Sequence, residues 1–154
     1  MSFKQPRSIQ VVIFERHTPA INYLLLKRVA SHGGFWQSVT GSLEGDETHT
    51  QAAVREVLEE TGILAIPANL IDLGITNTFE IAPQWRNRYG PGVIRNEEIC
   101  FALEVSGAEE IRLDRLEHDE YLWVSYDRAM ELLYWESNKR ALTASHSLLD
   151  ETSK

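Results

Sequence analysis

The 154-residue chain is poor in three things. It has a single cysteine, Cys100, which excludes an intrachain disulfide and a cysteine-built metal centre. It has no run approaching the ~20 apolar residues of a membrane-spanning helix, and MSFKQPRSIQ at its start lacks a continuous apolar core. We therefore expect a soluble, unprocessed, cytoplasmic protein. Positive charge is the third shortage: 15 Lys and Arg against 23 Asp and Glu leave a formal net charge of −8. A mean field of that sign repels polyanions, which argues against a nucleic-acid polymer or an anionic membrane as partner. An anionic small molecule would need local metal ions or arginines. No internal repeat, linker or low-complexity tract divides the chain. With 43% hydrophobic and 25% charged residues, 1–154 is expected to form one domain with a sizeable core.

What the chain does have is concentrated in Gly41 to Ile63, GSLEGDETHTQAAVREVLEETGI. Glu56, Glu59 and Glu60 fall within five residues of a helical segment. Like charges at i,i+4 repel by roughly 0.2–0.5 kcal/mol per pair, so the segment is mildly self-destabilising unless cations sit there. Thr48 and Gln51 have capping-box spacing and Gly62 supplies the stop, so a helix is expected between them. Ala53, Val54, Val57 and Thr61 share one side of it, with the three glutamates on an adjacent side. Taken alone, an acidic run of this kind is usually a solvated helix face.

Around this segment the pattern is one of strands and helices in alternation. Ser8–Phe14 and Tyr23–Leu26 read as a pair of strands joined across His17-Thr18-Pro19, and Phe35–Thr40 as a short strand delivering Gly41. Ile71, Leu73 and Ile75 alternate with polar residues, continuing through Phe79 and Ile81, and Val93–Val105 resumes the pattern after APQWRNRYGPG, giving a hairpin with a binding loop. Ser106–Glu120 is polar without clear periodicity. Tyr121–Val124 reads as a further strand and Asp127–Leu133 as a short helix. Ser137 is a candidate cap for a last helix with Ala141, Ala144, Ser145 and Leu148 buried and a tail, Asp150–Lys154, that frays. The expected class is α/β, a mixed sheet with helices on both faces.

Gly41, Glu47, Arg55, Glu56, Val57, Glu59, Glu60, Gly62 and Ile63 together match the signature of the Nudix hydrolase superfamily at all nine defined positions. The resemblance implies that superfamily's α/β/α sandwich, and divalent ions, Mg²⁺ or alternatively Mn²⁺, that activate water and neutralise a diphosphate. Helical spacing allows Glu56 and Glu60 to share metals independently of the family, because i and i+4 project from one face. The resemblance further implies a bracing role for Glu47 with Arg55, a tight turn at Gly41 and a left-handed exit at Gly62.

Beyond that box, Phe35–Thr40, Arg88–Val93 with Arg95-Asn96, Glu117-His118 ahead of Tyr121 and Trp123, and Ser137-Asn138 resemble the bacterial dihydroneopterin triphosphate diphosphatases. That branch converts dihydroneopterin triphosphate to the monophosphate and pyrophosphate in folate biosynthesis, and also takes nucleoside triphosphates such as dATP. The resemblance makes Glu117 the downstream metal ligand, with Glu120 as competitor, and leaves the general base between Glu59 and Glu117. It suggests Lys4, Arg28, Thr40, the segment Phe79, Glu80, Ile81 and Ala82, and Trp135 as substrate contacts. Phe79 is open between stacking on a flat heterocycle and a place in the core. Two rival readings use the same residues: a nucleoside triphosphate pyrophosphohydrolase acting on dATP or oxidised dGTP, and a non-catalytic ligand sensor. The sequence carries no signal of oligomeric state.

Overall fold

Ile9, Val11 and Ile13 alternate with Val12 and Phe14 along the first strand, so both of its faces need apolar cover. The computed structural model describes residues 3–17, 19–107 and 109–152. Its elements in chain order are β1 (Arg7–His17), β2 (Ala20–Arg28), β3 (Trp36–Gln37), β4 (Val39–Ser42), α1 (His49–Thr61), β5 (Leu70–Glu80), β6 (Arg95–Glu104), β7 (His118–Val124), α2 (Tyr126–Leu132) and α3 (Glu136–Thr152). Thr18, inside the expected first turn, and Ser153 and Lys154, at the end of the expected fraying tail, lie outside the described residues.

Among the described residues, seven strands form one mixed sheet with the order β3-β2-β1-β6-β5, β4 pairing with β1 and β7 with β2. The β1–β6 pair is parallel and every other ladder is antiparallel. β1 is the hub because it is long enough to be shared along one edge: Ser8–Val11 face β4, whereas Phe14–His17 face β2. β5 and β6 form the expected hairpin, with Asn77 opposite Glu98 and Phe79 opposite Asn96.

The two faces of the sheet carry separate cores. Ile9, Val11, Ile13, Phe101 and Leu103 pack with Ala52, Ala53 and Val57 of α1. Val12, Phe14, Tyr23, Leu25 and Ala102 pack with Ala129 of α2 and Ala141, Leu142 and Leu149 of α3. Helices therefore cover both faces, giving the expected α/β arrangement. Complete burial of Val57 alone stabilises by roughly 1.5–3 kcal/mol relative to exposure.

Several boundaries differ from expectation. β7 begins at His118, three residues before Tyr121, because main-chain pairing with β2 carries the polar residues Asp119 and Glu120 along. α3 begins at Glu136, with the Trp135 carbonyl accepting from the N–H of Asn138 at 3.1 Å, so Ser137 lies inside the first turn rather than capping it. Its buried stripe is Asn138, Ala141, Leu142, Ser145 and Leu149, with Ala144 and Leu148 only partly covered. The helix also continues past Asp150 through Thr152.

Candidate functional site

α1 is fixed at both ends by local chemistry. Thr48 Oγ1 accepts from Gln51 N at 3.1 Å, and Gln51 Oε1 accepts from Thr48 N at 2.9 Å, closing the capping box. Gly62 takes φ +78° and donates its N–H to the Leu58 carbonyl at 2.9 Å. Between these ends, Arg55 ties the preceding loop to the helix. Its Nε donates to Glu47 Oε2 at 2.7 Å and its Nη2 to Glu47 Oε1 at 2.9 Å, a bidentate pair, while Nη2 also reaches the Ser42 carbonyl at 2.9 Å. These bonds hold the Glu47 carboxyl below the usual carboxylate range. Arg55 Nη1 donates to Glu56 Oε1 at 2.7 Å and Glu59 Oε2 at 3.2 Å, so one guanidinium hydrogen-bonds three carboxylates, with Glu44 a fourth ion-pair partner at 3.6 Å.

The three glutamates of α1 differ sharply in environment. Glu59 is exposed, Glu56 is partly buried, and Glu60 is only 5% exposed. The Glu56 and Glu60 carboxyls lie close enough to act on each other. Burial first, and then the charge of Glu56, push the Glu60 carboxyl well above its ordinary range; burial also raises Glu56, against the lowering effect of Glu60 and of its bond to Arg55. Two neighbouring carboxyls away from water do not both ionise unless a cation joins them. Glu60 Oε2 is moreover buried with no hydrogen-bond partner. Gly41 lies directly against the Glu56 carboxyl, where any Cβ would collide with it.

Facing this pair is the start of β7. His118 is 1% exposed, with Nε2 at 3.6 Å from Glu60 Oε1 and 3.2 Å from Gln37 Nε2. Burial, and then the charge of Arg28, lower its imidazole to about 4, so the ring is neutral at physiological pH. Glu117 Oε2 lies 3.4 Å from Arg28 Nη1 and 3.6 Å from His32 Nδ1. Both Arg28 and Glu117 are near enough to act on the Glu60 carboxyl. Glu120 instead pairs with Lys27 at 3.4 Å. Among the described residues, no three acids, histidines or cysteines are grouped so as to hold an ion by themselves.

The remaining candidates are dispersed. Thr40 is partly buried beside Gln10, on the sheet face covered by α3. Phe79 is 43% exposed and so is not a core residue, Glu80 pairs with Arg86 at 3.4 Å, and Trp135 is 42% exposed with its edge on the Phe35 ring at 5.2 Å. Ile81 is buried with both main-chain groups engaged, the N–H with Ile94 and the carbonyl with Arg86 Nε. Ala82 leads into the turn Pro83–Arg88, and exposed Lys4 sits over the Tyr89 ring at 5.5 Å, its N–H bound to the Arg88 carbonyl. Sequence reasoning assigned no role to His118 or Gln37; the adjacency of His118 to Glu117 was the only available signal. It also missed a buried polar set, Gln10, Asn77, Glu98 and Asn138, because its members are spread over three strands and a helix and no single segment's pattern brings them together.

Comparison with known proteins agrees with this geometry. The chain is 42% identical over 142 residues, 91% of each chain, to dihydroneopterin triphosphate diphosphatase of Escherichia coli strain K12. It is 35% identical over 145 residues to the enzyme of that name from Haemophilus influenzae, covering 92% of this chain and 88% of the other. The solved E. coli dihydroneopterin triphosphate pyrophosphohydrolase superposes with a TM-score of 0.78 at 41% identity, covering 92% of this chain and 95% of that one. The NUDIX domain model matches residues 4–145, spanning the sheet, α1 and most of α3. A loop braced to a helix by Glu47 and Arg55, with paired carboxyls on that helix, thus sits inside a matching sequence and a matching fold, and the chain belongs to the NUDIX family.

Proposed function

We propose that the protein hydrolyses dihydroneopterin triphosphate to dihydroneopterin monophosphate and pyrophosphate, in the cytoplasm and with Mg²⁺ or Mn²⁺. The observation that carries this reading is 42% identity over 91% of both chains to an enzyme of that name, in a chain that keeps the buried Glu56–Glu60 pair. The donor set fits a divalent cation: oxygen-only ligands, a buried Glu60 Oε2 without a partner, and two carboxyls whose mutual repulsion an ion would relieve. When bound, such an ion neutralises phosphoanhydride oxygens and makes water more acidic.

The chain's own residues supply the rest. Glu56 and Glu60 hold the ion, with Arg55 and Glu47 fixing the orientation of Glu56. Glu117 is favoured over Glu120 as the third ligand, because its charge acts on the Glu60 carboxyl and it is partly buried, whereas Glu120 is exposed. If Glu117 turns to the ion, Arg28 loses its 3.4 Å partner and can take a phosphate oxygen. The proton of the attacking water goes to Glu59 or Glu117. Lys4, Thr40, Phe79 and Trp135 remain candidates for the rest of the substrate. Relative kcat/KM for dihydroneopterin triphosphate, dATP and oxidised dGTP tests the reading. The pterin substrate is expected to lead, and a large preference for either nucleotide overturns it.

A further inference from the structure

His118 reaches Glu60 through an irregularity in strand pairing. Leu24 and Leu26 of β2 pack on the α1 side of the sheet, and Leu25 on the other side. In the ladder between β2 and β7, Tyr121 stands opposite Leu26 and Glu120 opposite Lys27, but the next pair is Arg28 with His118. The register thus skips Asp119. Strict alternation from Tyr121 would put Asp119 on the α1 side and send His118 to the opposite face. The skipped residue returns His118 to the α1 side beside Arg28, and re-aiming a side chain in this way is a common use of a bulge near a functional site. The turn before β7 holds the shifted register, since the Asp114 carbonyl accepts from the N–H groups of both Glu117 and His118 at 2.9 Å. Gln37 comes to the same side because β3 pairs it with Leu26.

The result is a short chain of buried polar groups. His118 Nε2 is 3.2 Å from Gln37 Nε2 and 3.6 Å from Glu60 Oε1, and all three residues are more than nine-tenths buried. The other ring nitrogen, Nδ1, is buried with no partner, as is Glu60 Oε2. A neutral imidazole carries one N–H, and its place decides what the ring does for Glu60. With the hydrogen on Nδ1, a buried N–H lacks an acceptor, and a bare Nε2 faces the carboxylate oxygen, acceptor against acceptor. With the hydrogen on Nε2, the donor faces Glu60 Oε1 and Nδ1 keeps only an unused lone pair, the lesser of the two deficits. Gln37 adapts to that tautomer by a half-turn of its amide, which presents Oε1 to the ring in place of Nε2. The 3.6 Å separation is just outside hydrogen-bond range, as is common for active-site bonds that tighten once the ligand is in place.

We propose that His118 is a positioning residue for the metal site: as the Nε2–H tautomer, with Gln37 holding the ring, it donates to Glu60 Oε1 and so leaves Oε2 directed to the divalent cation. This rests on the ligation by Glu60 proposed above and names the group that orients it. Arg55 does the same for Glu56 from the loop side, so each of the two ligands has its own anchor.

Nitrogen NMR of Mg²⁺-loaded wild type, labelled in its histidine rings, reads the tautomer, the His118 signals being those missing from His118→Gln. Hydrogen on Nε2 is expected, and hydrogen on Nδ1 overturns the assignment. Thermal denaturation in EDTA and across a Mg²⁺ series then compares wild type with His118→Leu and His118→Gln, with circular dichroism to confirm folding. The Mg²⁺ concentration giving half of the maximal rise in Tm should increase about tenfold or more in His118→Leu. His118→Gln, whose Nε2 can donate to the same carboxylate oxygen, should recover most of that loss. A purely structural part for His118 would lower Tm in EDTA and leave the Mg²⁺ dependence alone. That result, or a Gln variant as impaired as the Leu variant, overturns the positioning role. Should His118→Leu fold poorly, the wild-type tautomer still decides. A wild type whose Tm ignores Mg²⁺ would instead overturn ligation by Glu60 itself, whereas a normal wild-type response confines any failure to His118.

Discussion

Replacing Glu60 by Gln should stabilise the cation-free protein and remove its response to Mg²⁺. Glu60 is 5% exposed, its Oε2 has no partner, and the charge of the Glu56 carboxyl acts on it. An amide in that place donates an N–H to Glu56 and carries no charge, so the strain between two buried acids disappears. A neutral amide avoids holding a carboxyl, charged or proton-bound, in this buried place at neutral pH, a relief of about 1–3 kcal/mol. At about 2–4 °C per kcal/mol for a chain of this size, Tm rises by roughly 2–12 °C. Wild type should show the complementary behaviour: Mg²⁺ at about 100 times its Kd adds about 2.7 kcal/mol, or roughly 5–11 °C. Thermal denaturation at neutral pH, in EDTA and across a Mg²⁺ series, measures both effects, and turnover in the variant should fall about 100-fold or more. A variant with the wild-type Mg²⁺ shift, or with unchanged turnover at saturating Mg²⁺, refutes ligation by Glu60. A lower Tm in EDTA refutes the argument from burial.

Three further outcomes are expected. Gly41→Ala places a Cβ against the Glu56 carboxyl, so the Mg²⁺ concentration giving half-maximal activity should rise about tenfold or more; an unchanged Mg²⁺ titration would contradict that contact. Glu117→Gln should lose activity while Glu120→Gln, exposed and paired only with Lys27, keeps it, and loss in the second alone would move the ligand to Glu120. The His118 imidazole falls from 6.5 to about 4 on folding, so between those values the unfolded chain binds the proton that the folded chain excludes. Its contribution is complete above about pH 6.5 and lost as pH falls to about 4, at most roughly 3 kcal/mol. Urea unfolding of wild type against His118→Asn over that range should show the stability difference shrinking with acid; the comparison cancels the opposite trend from the raised Glu56 and Glu60 carboxyls.

The sequence was most informative where structure is set locally. Thr48, Gln51 and Gly62 act within one turn of themselves, and the ends of α1 fall where those residues put them. β7 was read short because Asp119 and Glu120 have no strand pattern of their own and are ordered by the β2 backbone. Ser137 resembled a cap, yet α3 starts one residue earlier because the Trp135 carbonyl is available. Glu60 and Glu59 are sequence neighbours of one chemical type, and only packing against the sheet makes one buried and the other exposed. Glu98 was invisible for a related reason: it ends the polar run Arg95–Glu98, which signals solvent, and only the fold makes it buried.

Phosphorus NMR of the reaction mixture tests the central claim most directly. Dihydroneopterin triphosphate incubated with the protein and Mg²⁺ should give one pyrophosphate for each dihydroneopterin monophosphate, no orthophosphate, no reaction in EDTA, and a rate about 100-fold or more lower with Glu60→Gln. Stepwise release of orthophosphate, or pyrophosphate release that persists in EDTA, would contradict it.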